Sequence, residues 1–203
     1  MTTSRCTGAI LAGGQSSRMG GTPKGLMEIG GARMIDRAAA ALRGAADSVM
    51  VVASDPAANG WLPGVPTVPD QRPGLGALSG IHAALRASGT DVLVLAWDAP
   101  FVPAALLRAL RDAGELERAG VAAPASRSPW GFEPLCAWFS QSALGAVEAL
   151  LDAGDGRVGA LGEKLRLLTV DISSWGDPDD IFFNVNTPSD LERAAGIAAR
   201  TAP

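Results

Sequence analysis

Short apolar runs alternate with helix-like segments along almost the whole chain. The runs cover residues 9–12, 49–53, 92–96, 121–123, 135–139 and, less purely, 165–170. Segments with apolar residues at helix spacing follow them at 34–42, 78–85, 104–110, 143–151 and 191–198. This alternation predicts an α/β domain with a largely parallel sheet, because helices on both faces require strands that are apolar throughout. In such a sheet, ligands bind beyond the carboxyl ends of the strands.

Length and composition narrow the class of protein. With 203 residues, 47% of them hydrophobic, we expect one domain spanning 1–203, with an alanine-rich tail that frays after residue 194. The net charge of -4 argues against a nucleic-acid binder, which usually has a basic surface. The run at 9–12 is too short for a signal peptide and no run approaches a membrane span, so we expect a cytoplasmic protein without a membrane partner.

The cysteines and the histidine do not form a pattern that indicates chemistry. Cys6 and Cys136 are the only cysteines and lie far apart, so we expect buried, reduced thiols rather than a disulfide framework or a zinc site. His82 is the only histidine and lies in a helical pattern. A nucleophilic triad would depend on it alone, and we expect a structural role instead.

The first candidate site is the stretch LAGGQSSRMGGTPKGL at residues 11–26. A Walker loop is excluded because Lys24 is not followed by Ser or Thr, and the G-x-G-x-x-G spacing of dinucleotide folds is also absent. Gly13 and Gly14 would let backbone N–H groups approach an anion, while Arg18 and Lys24 could wrap a triphosphate. A glycine-rich turn with solvated charges explains the segment equally simply.

Two further loops are candidates for the same edge of the sheet. Asp98 emerges directly after the apolar run 92–96, where its carboxylate is well placed to hold Mg²⁺, although it could instead cap a helix. The segment DQRPGLGALSG contains Asp70, Gly74 and Gly76, which could approach a base or ribose. A glycine turn that opens a helix is the alternative for this second loop.

The segment FFNVNTPSDL near the end of the chain places Asn184 and Asn186 on one side of an extended strand. Thr187 and Pro188 fit the N-cap and the first position of a helix. The cap does not explain two asparagines that face the same way. They are either polar residues at a sheet edge or ligand contacts.

Taken together, the segments LAGGQSSRMGGTPKGL, PGLGALSGI, WDAPFVP and FNVNTPSDL resemble, in order and spacing, the molybdenum cofactor guanylyltransferases. The resemblance runs from residue 9 to residue 191. It implies a Rossmann-like nucleotidyltransferase fold with three α/β/α layers and a mostly parallel sheet. The implied reaction transfers GMP from GTP to molybdenum-bound molybdopterin with release of pyrophosphate and with Mg²⁺ as cofactor. Partners would include molybdenum cofactor biosynthesis proteins and the molybdoenzymes that accept the product.

The resemblance also implies roles for individual residues. The catalytic residues would be Arg18, Lys24 and Asp98, because phosphate charge during transfer would be neutralised by Arg18, Lys24 and the Mg²⁺ ion that Asp98 binds. The second substrate, molybdopterin, would contact Asn184, Asn186 and Arg157. The nucleotide would contact Leu11, Ala12, Gly13, Gly14, Lys24, Asp70 and Asp98.

This sequence departs from the family pattern at several positions. Trp97 stands where a cysteine is expected, Pro23 where Asp is common before the lysine, and Ala77 where the second loop usually has proline. Gly13 favours guanine, because related cytidylyltransferases tend to show LAAG. Cytidylyl transfer to the same cofactor, transfer to a sugar phosphate and a non-catalytic nucleotide-binding module remain alternatives. The NVNTP segment argues against the sugar phosphate, and intact Lys24 and Asp98 argue against the module.

Overall fold

The computed structural model describes residues 5–13 and 22–201. Within these residues a seven-stranded sheet and a small hairpin are formed. The strands are β1 (Cys6–Leu11), β2 (Glu28–Ile29), β3 (Ala32–Arg33), β4 (Ser48–Val52), β5 (Thr67–Val68), β6 (Asp91–Ala96), β7 (Val121–Pro124), β8 (Cys136–Phe139) and β9 (Leu167–Val170). The sheet has the order β5-β4-β1-β6-β8-β7-β9, and β2 pairs with β3 in the hairpin.

The sheet is mostly parallel, as the alternation of strands and helices predicts. Strand β1 pairs in parallel with β4 and β6, and β4–β5 and β7–β9 are parallel as well. Strand β8 runs antiparallel to both β6 and β7. An antiparallel bridge between Ala125 and Phe132 continues the β7–β8 hairpin beyond the strands, so the chain turns back and β8 inserts between β7 and β6.

Helices cover both faces of the sheet and complete the three layers. They are α1 (Met34–Arg43), α2 (Gly76–Ser88), α3 (Ala104–Glu117), α4 (Leu144–Asp152), α5 (Leu161–Lys164), α6 (Pro178–Ile181) and α7 (Pro188–Thr201). Along β1, Cys6 and Ile10 pack with α1 and α3, while Ala9 and Leu11 pack with α2 and α4. The predicted fold class is confirmed. In the described part of the chain, no helix is both long and apolar enough to span a membrane.

The tail that we expect to fray after residue 194 lies in α7, which is regular helix to Thr201. It begins with the cap that the sequence predicts. The backbone N–H of Asp190 donates to Thr187 Oγ1 at 3.2 Å, and Asp190 Oδ2 accepts from the backbone N–H of Thr187 at 2.8 Å. This reciprocal capping box satisfies donors that the helix start would leave unpaired. The helix is therefore fixed at its first turn.

Helix α7 is also held by its own small core. Ala194 and Ala198 are buried against Ile29 and Met34, next to the β2–β3 hairpin, and against Val185. Burial of these apolar side chains stabilises the helix against the rest of the domain. The same cluster therefore anchors the segment that carries the two asparagines.

The cysteines and the histidine are structural, as expected. Cys6 and Cys136 are free and buried. Burial raises the pKa of the Cys6 thiol to about 12 and raises that of Cys136 as well, so both stay protonated near neutral pH. His82 is buried on α2, and its Nε2 atom lies 3.4 Å from Glu148 Oε1 on α4. It belongs to the packing between two helices.

Candidate active site

The sheet order reverses at β1. From β1 the chain passes through α1 to β4 on one side, and β6 later occupies the other side. Such a switch point opens a crevice at the carboxyl ends of the strands. A cleft of about 650 Å³ lies there, and the residues that line it include Leu11, Ala12, Gly13, Asp70, Gly74, Gly76, Trp97 and Asp98. The structure thus brings the three candidate loops together. Gly14 and Arg18 lie outside the described residues.

Lys24, Asp98 and Asn186 meet at one point, although 74 and 162 positions separate Lys24 from its two partners. The Lys24 ammonium forms an ion pair with Asp98 Oδ2 and donates to Asn186 Oδ1 at 2.9 Å. Both charged side chains are mostly buried, with 17% and 16% of their surface exposed. Three of the four sequence segments therefore contribute directly to a single cluster.

Short backbone elements fix this cluster. Pro23, with φ of -56°, precedes a 3-10 turn at Lys24–Leu26, so the proline directs the chain into the turn that presents the lysine. The backbone N–H of Trp97 donates to Leu11 O at 3.2 Å, which ties the end of β6 to the end of β1. The end of β6 in turn holds Asp98 at the mouth of the cleft.

The closing segment is pinned to the same place. The backbone N–H of Val185 donates to Asp98 O at 3.2 Å, and the Val185 side chain is fully buried. Asn184 and Asn186 on either side of it are exposed. The two exposed asparagines thus flank a buried valine, which agrees with the alternation in the sequence.

Trp97 lies directly beneath the lysine turn. A Cβ atom added to Gly25 would be 2.2 Å from Trp97 Cε3, so the glycine backbone rests on the indole ring. Trp97 is supported in turn by Trp61, because the two rings stack with their centroids 5.1 Å apart. From the sequence, Trp97 is only a departure from the family pattern. Gly25, immediately after the lysine, was the available signal that a large side chain packs there.

Asp70 organises the second loop as well as lining the cleft. Its Oδ1 atom accepts from the backbone N–H of Arg72 at 2.8 Å and from the Ser79 hydroxyl. Gly74 and Gly76 have φ of 91° and 67°, which glycine adopts without strain. Ser79 was missed at the sequence level. The available signal was a hydroxyl residue inside the apolar pattern of residues 78–85, and the structure buries its side chain fully.

Arg157 lies apart from the two asparagines. Its guanidinium is 79% exposed and donates to both carboxylate oxygens of Asp155, at 2.9 and 2.7 Å. These hydrogen bonds from Arg157 lower the pKa of Asp155 to about 2. The preceding Gly156 packs against the backbone of Leu75, because an added Cβ would be 2.2 Å from Leu75 O. Arg157 therefore neighbours the second loop, and its assignment to molybdopterin stays a prediction.

The Asp98 carboxylate fits a divalent cation that takes its other ligands from the substrate. Within residues 5–13 and 22–201, no cluster of three or more His, Cys, Asp or Glu side chains forms a ready metal cage. Asp98 Oδ1 accepts no hydrogen bond from any described residue. Mg²⁺ typically binds one or two carboxylates and takes its remaining ligands from phosphate and water. A single carboxylate beside a cleft suits that mode of binding.

Comparison with known proteins agrees with this geometry. The MobA-like NTP transferase domain matches residues 8–167, which include all three loops around the cleft. The chain belongs to the MobA-like NTP transferase family. This family match ends before Asn184 and Asn186. The matches to individual relatives extend over nearly the full chain and include both asparagines.

Relatives of this MobA-like transferase match almost end to end. A probable molybdenum cofactor guanylyltransferase from Pelotomaculum thermopropionicum is 38% identical over 198 residues, covering 96% of this chain and 94% of that protein. A molybdenum cofactor guanylyltransferase from Desulfosudis oleivorans is 35% identical, covering 93% of each. The molybdopterin-guanine dinucleotide biosynthesis protein A of Archaeoglobus fulgidus superposes with a TM-score of 0.81 at 27% identity, covering 96% of this chain and all of that one.

Proposed function

We propose that this MobA-like transferase is a molybdenum cofactor guanylyltransferase, which transfers GMP from GTP to molybdenum-bound molybdopterin and releases pyrophosphate. The observation that carries the proposal is the contact of Lys24 with both Asp98 and Asn186. It joins the nucleotide loop, the acid at the end of β6 and the asparagine segment in one cluster. The names of the full-length relatives support guanine and molybdopterin as the two substrates.

GTP would occupy the 650 Å³ cleft. The backbone at Gly13 and Gly14 would approach the triphosphate, and Lys24 would neutralise part of its charge, together with Arg18. The second loop, shaped by Asp70, would lie against the ribose and base. Leu11 and Ala12 form the floor of the cleft at the end of β1.

The reaction needs no protein nucleophile. An oxygen of the molybdopterin phosphate attacks the α-phosphorus of GTP, a new phosphorus–oxygen bond forms, and the bond to the β-phosphate breaks. Pyrophosphate leaves with the bonding electron pair. The attacking phosphate is already ionised near neutral pH, so His82 is not required. Repulsion between the two phosphates is the main obstacle, and Lys24 would lower it by placing a fixed positive charge in a partly buried site.

Asp98 would hold the Mg²⁺ ion, with phosphate oxygens and water as its other ligands. When bound, the ion supplies positive charge against the phosphate oxygens and the leaving pyrophosphate. The ion pair of Lys24 with Asp98 keeps the carboxylate oriented at the cleft before substrates arrive. The two residues thus have complementary roles.

The asparagines would contact the second substrate. Asn186 Oδ1 accepts from Lys24, which leaves its amide NH₂ group to donate to the incoming phosphate. Asn184 is also exposed, two residues earlier, and would bind a more distant part of molybdopterin. Arg157 would add a positive charge beside the second loop. The product would then pass to the molybdoenzymes that use it.

Pyrophosphate release tests the proposal. The purified protein is incubated with Mg²⁺, molybdenum-loaded molybdopterin and each of the four nucleoside triphosphates in turn. We expect release with GTP and little with the other three. Release with CTP and not GTP would assign cytidylyl transfer instead, and tight GTP binding without any release would identify a non-catalytic nucleotide-binding module.

A further inference from the structure

A second cavity, of about 770 Å³, opens beside the asparagine segment. This volume lies within the range of small-molecule sites, about 300–1,000 Å³. The loop after β7, the end of β9 and the α6–α7 region enclose it. The lining residues that matter here are Arg127, Glu133, Asp171, Phe182, Asn184 and Arg193.

The cavity adjoins the Lys24 cluster. Asn184 lines the cavity, while Asn186 contacts Lys24. Two residues of extended chain span about 7 Å. A molecule held in the cavity could therefore extend a phosphate past Asn184 to Lys24, where the nucleotide cleft begins.

Glu133 is the half-buried carboxylate of the cavity, whereas the other three carboxylates that line it are exposed, namely Asp171, Asp177 and Asp179. Asp171 uses both oxygens to accept from Ser173, at 3.0 and 2.9 Å, and Asp177 caps α6. The half-buried Glu133 side chain makes no hydrogen bond or ion pair with any residue in 5–13 or 22–201. Its backbone is fixed, because its N–H donates to Pro124 O at 3.0 Å.

An aromatic surface lies in the same cavity. Phe182 and Phe183 line it, and the Arg193 guanidinium lies 4.4 Å from the centre of the Phe183 ring. Planar aromatic and guanidinium groups favour stacking with flat, polar ring systems. A carboxylate beside such a surface complements a heteroaromatic ring that carries adjacent N–H donors.

We infer that this cavity binds the pterin rings of the second substrate and that Glu133 accepts hydrogen bonds from the amino group and ring N–H of the pterin. The inference rests on the proposed function and extends it, because it assigns the ring-recognising residue of the acceptor site. A carboxylate offers two acceptor oxygens to two adjacent donors. Glutamine offers only one acceptor, and its NH₂ group would face a donor.

The test uses the full-length protein with Glu133→Gln, and with Asp112→Asn as the matched control. Asp112 lies on the exposed face of α3, so its variant also removes one carboxylate charge. We expect Glu133→Gln to raise the KM for molybdenum-loaded molybdopterin about tenfold, in line with the loss of a hydrogen bond to a charged group. The KM for GTP and the direct binding of GTP should match those of the wild type and of Asp112→Asn.

Equilibrium binding of molybdopterin, followed by its pterin fluorescence, gives a second readout that does not depend on turnover. We expect the same tenfold loss there. An unchanged molybdopterin affinity in Glu133→Gln, or an equal loss of GTP affinity, would overturn the assignment. Both results are compared with a wild-type enzyme that transfers GMP. If the proposed function were wrong, the wild type itself would not transfer GMP, so the two failures are distinguishable.

Discussion

Gly25→Ala probes how the lysine turn is positioned. The added Cβ would lie 2.2 Å from Trp97 Cε3 and 2.4 Å from Cδ2, whereas ordinary contact begins at 3.4 Å. The two groups must therefore separate by about 1.2 Å. Trp97 cannot yield easily, because it is 3% exposed, stacks on Trp61 and is tied by its backbone to Leu11. The displacement falls mainly on the turn that carries Lys24.

Two measurable effects follow. Overpacking of a filled core costs about 1–3 kcal/mol, which lowers the free energy of unfolding. Misplacement of a group at the reacting centre by about 1 Å can lower the rate about 100-fold. We therefore expect a large fall in kcat, with KM for GTP rising less, because the rest of the cleft is intact. Steady-state kinetics and thermal unfolding on the same preparation measure both effects.

Two controls isolate the cause. Gly145→Ala, in α4 where an added Cβ meets nothing within 4 Å, should leave activity unchanged and stability equal or higher. Trp97→Cys removes the indole ring that the added methyl group would meet, so combining it with Gly25→Ala should recover part of the lost kcat. Wild-type kcat and stability in Gly25→Ala, or no recovery in the double variant, would refute the packing argument.

Three further predictions concern binding and stability. Lys24→Ala should weaken GTP binding in a direct titration, and an unchanged affinity would exclude a triphosphate contact. Thr187→Ala removes the hydroxyl that accepts from Asp190 N–H and should lower the free energy of unfolding by about 1 kcal/mol in denaturant titration, whereas wild-type stability would contradict the cap. The backbone N–H of Cys6 holds the pKa of Asp47 below its usual range, so the stability that Asp47 provides is present at neutral pH and lost as the pH falls through that lowered pKa. Asp47→Asn should lower the free energy of unfolding at neutral pH and leave it almost unchanged in acid. An equal loss of stability at both pH values would contradict this linkage.

The regular elements were predictable because their periodicity is local. All six apolar runs became strands of the sheet, and all five helical segments became helices. Shorter elements were missed. Strand β5 and the β2–β3 hairpin have two-residue strands, too short for a repeat to show. The antiparallel direction of β8 depends on the hairpin that joins it to β7, which strand composition does not encode.

The site was predictable as a set of loops but not as a set of contacts. The positions of Asp98 and the asparagines followed from strand ends and from alternation. The contact of Lys24 with Asn186 was not foreseeable, because the β2–β3 hairpin and α7 together place the closing segment there. Packing of Gly25 on Trp97 likewise joins residues that are distant in sequence. Such contacts arise from the tertiary fold alone.

Transfer of label from GTP tests the role of the Lys24–Asp98 site most directly. GTP labelled at the α-phosphorus is incubated with molybdenum-loaded molybdopterin and Mg²⁺, using the wild type and Asp98→Asn. The wild type should move the label into a guanine dinucleotide, and the variant should not, although the variant still unfolds in one cooperative thermal transition. Label transfer by Asp98→Asn at the wild-type rate, or no transfer by the wild type, would contradict the account.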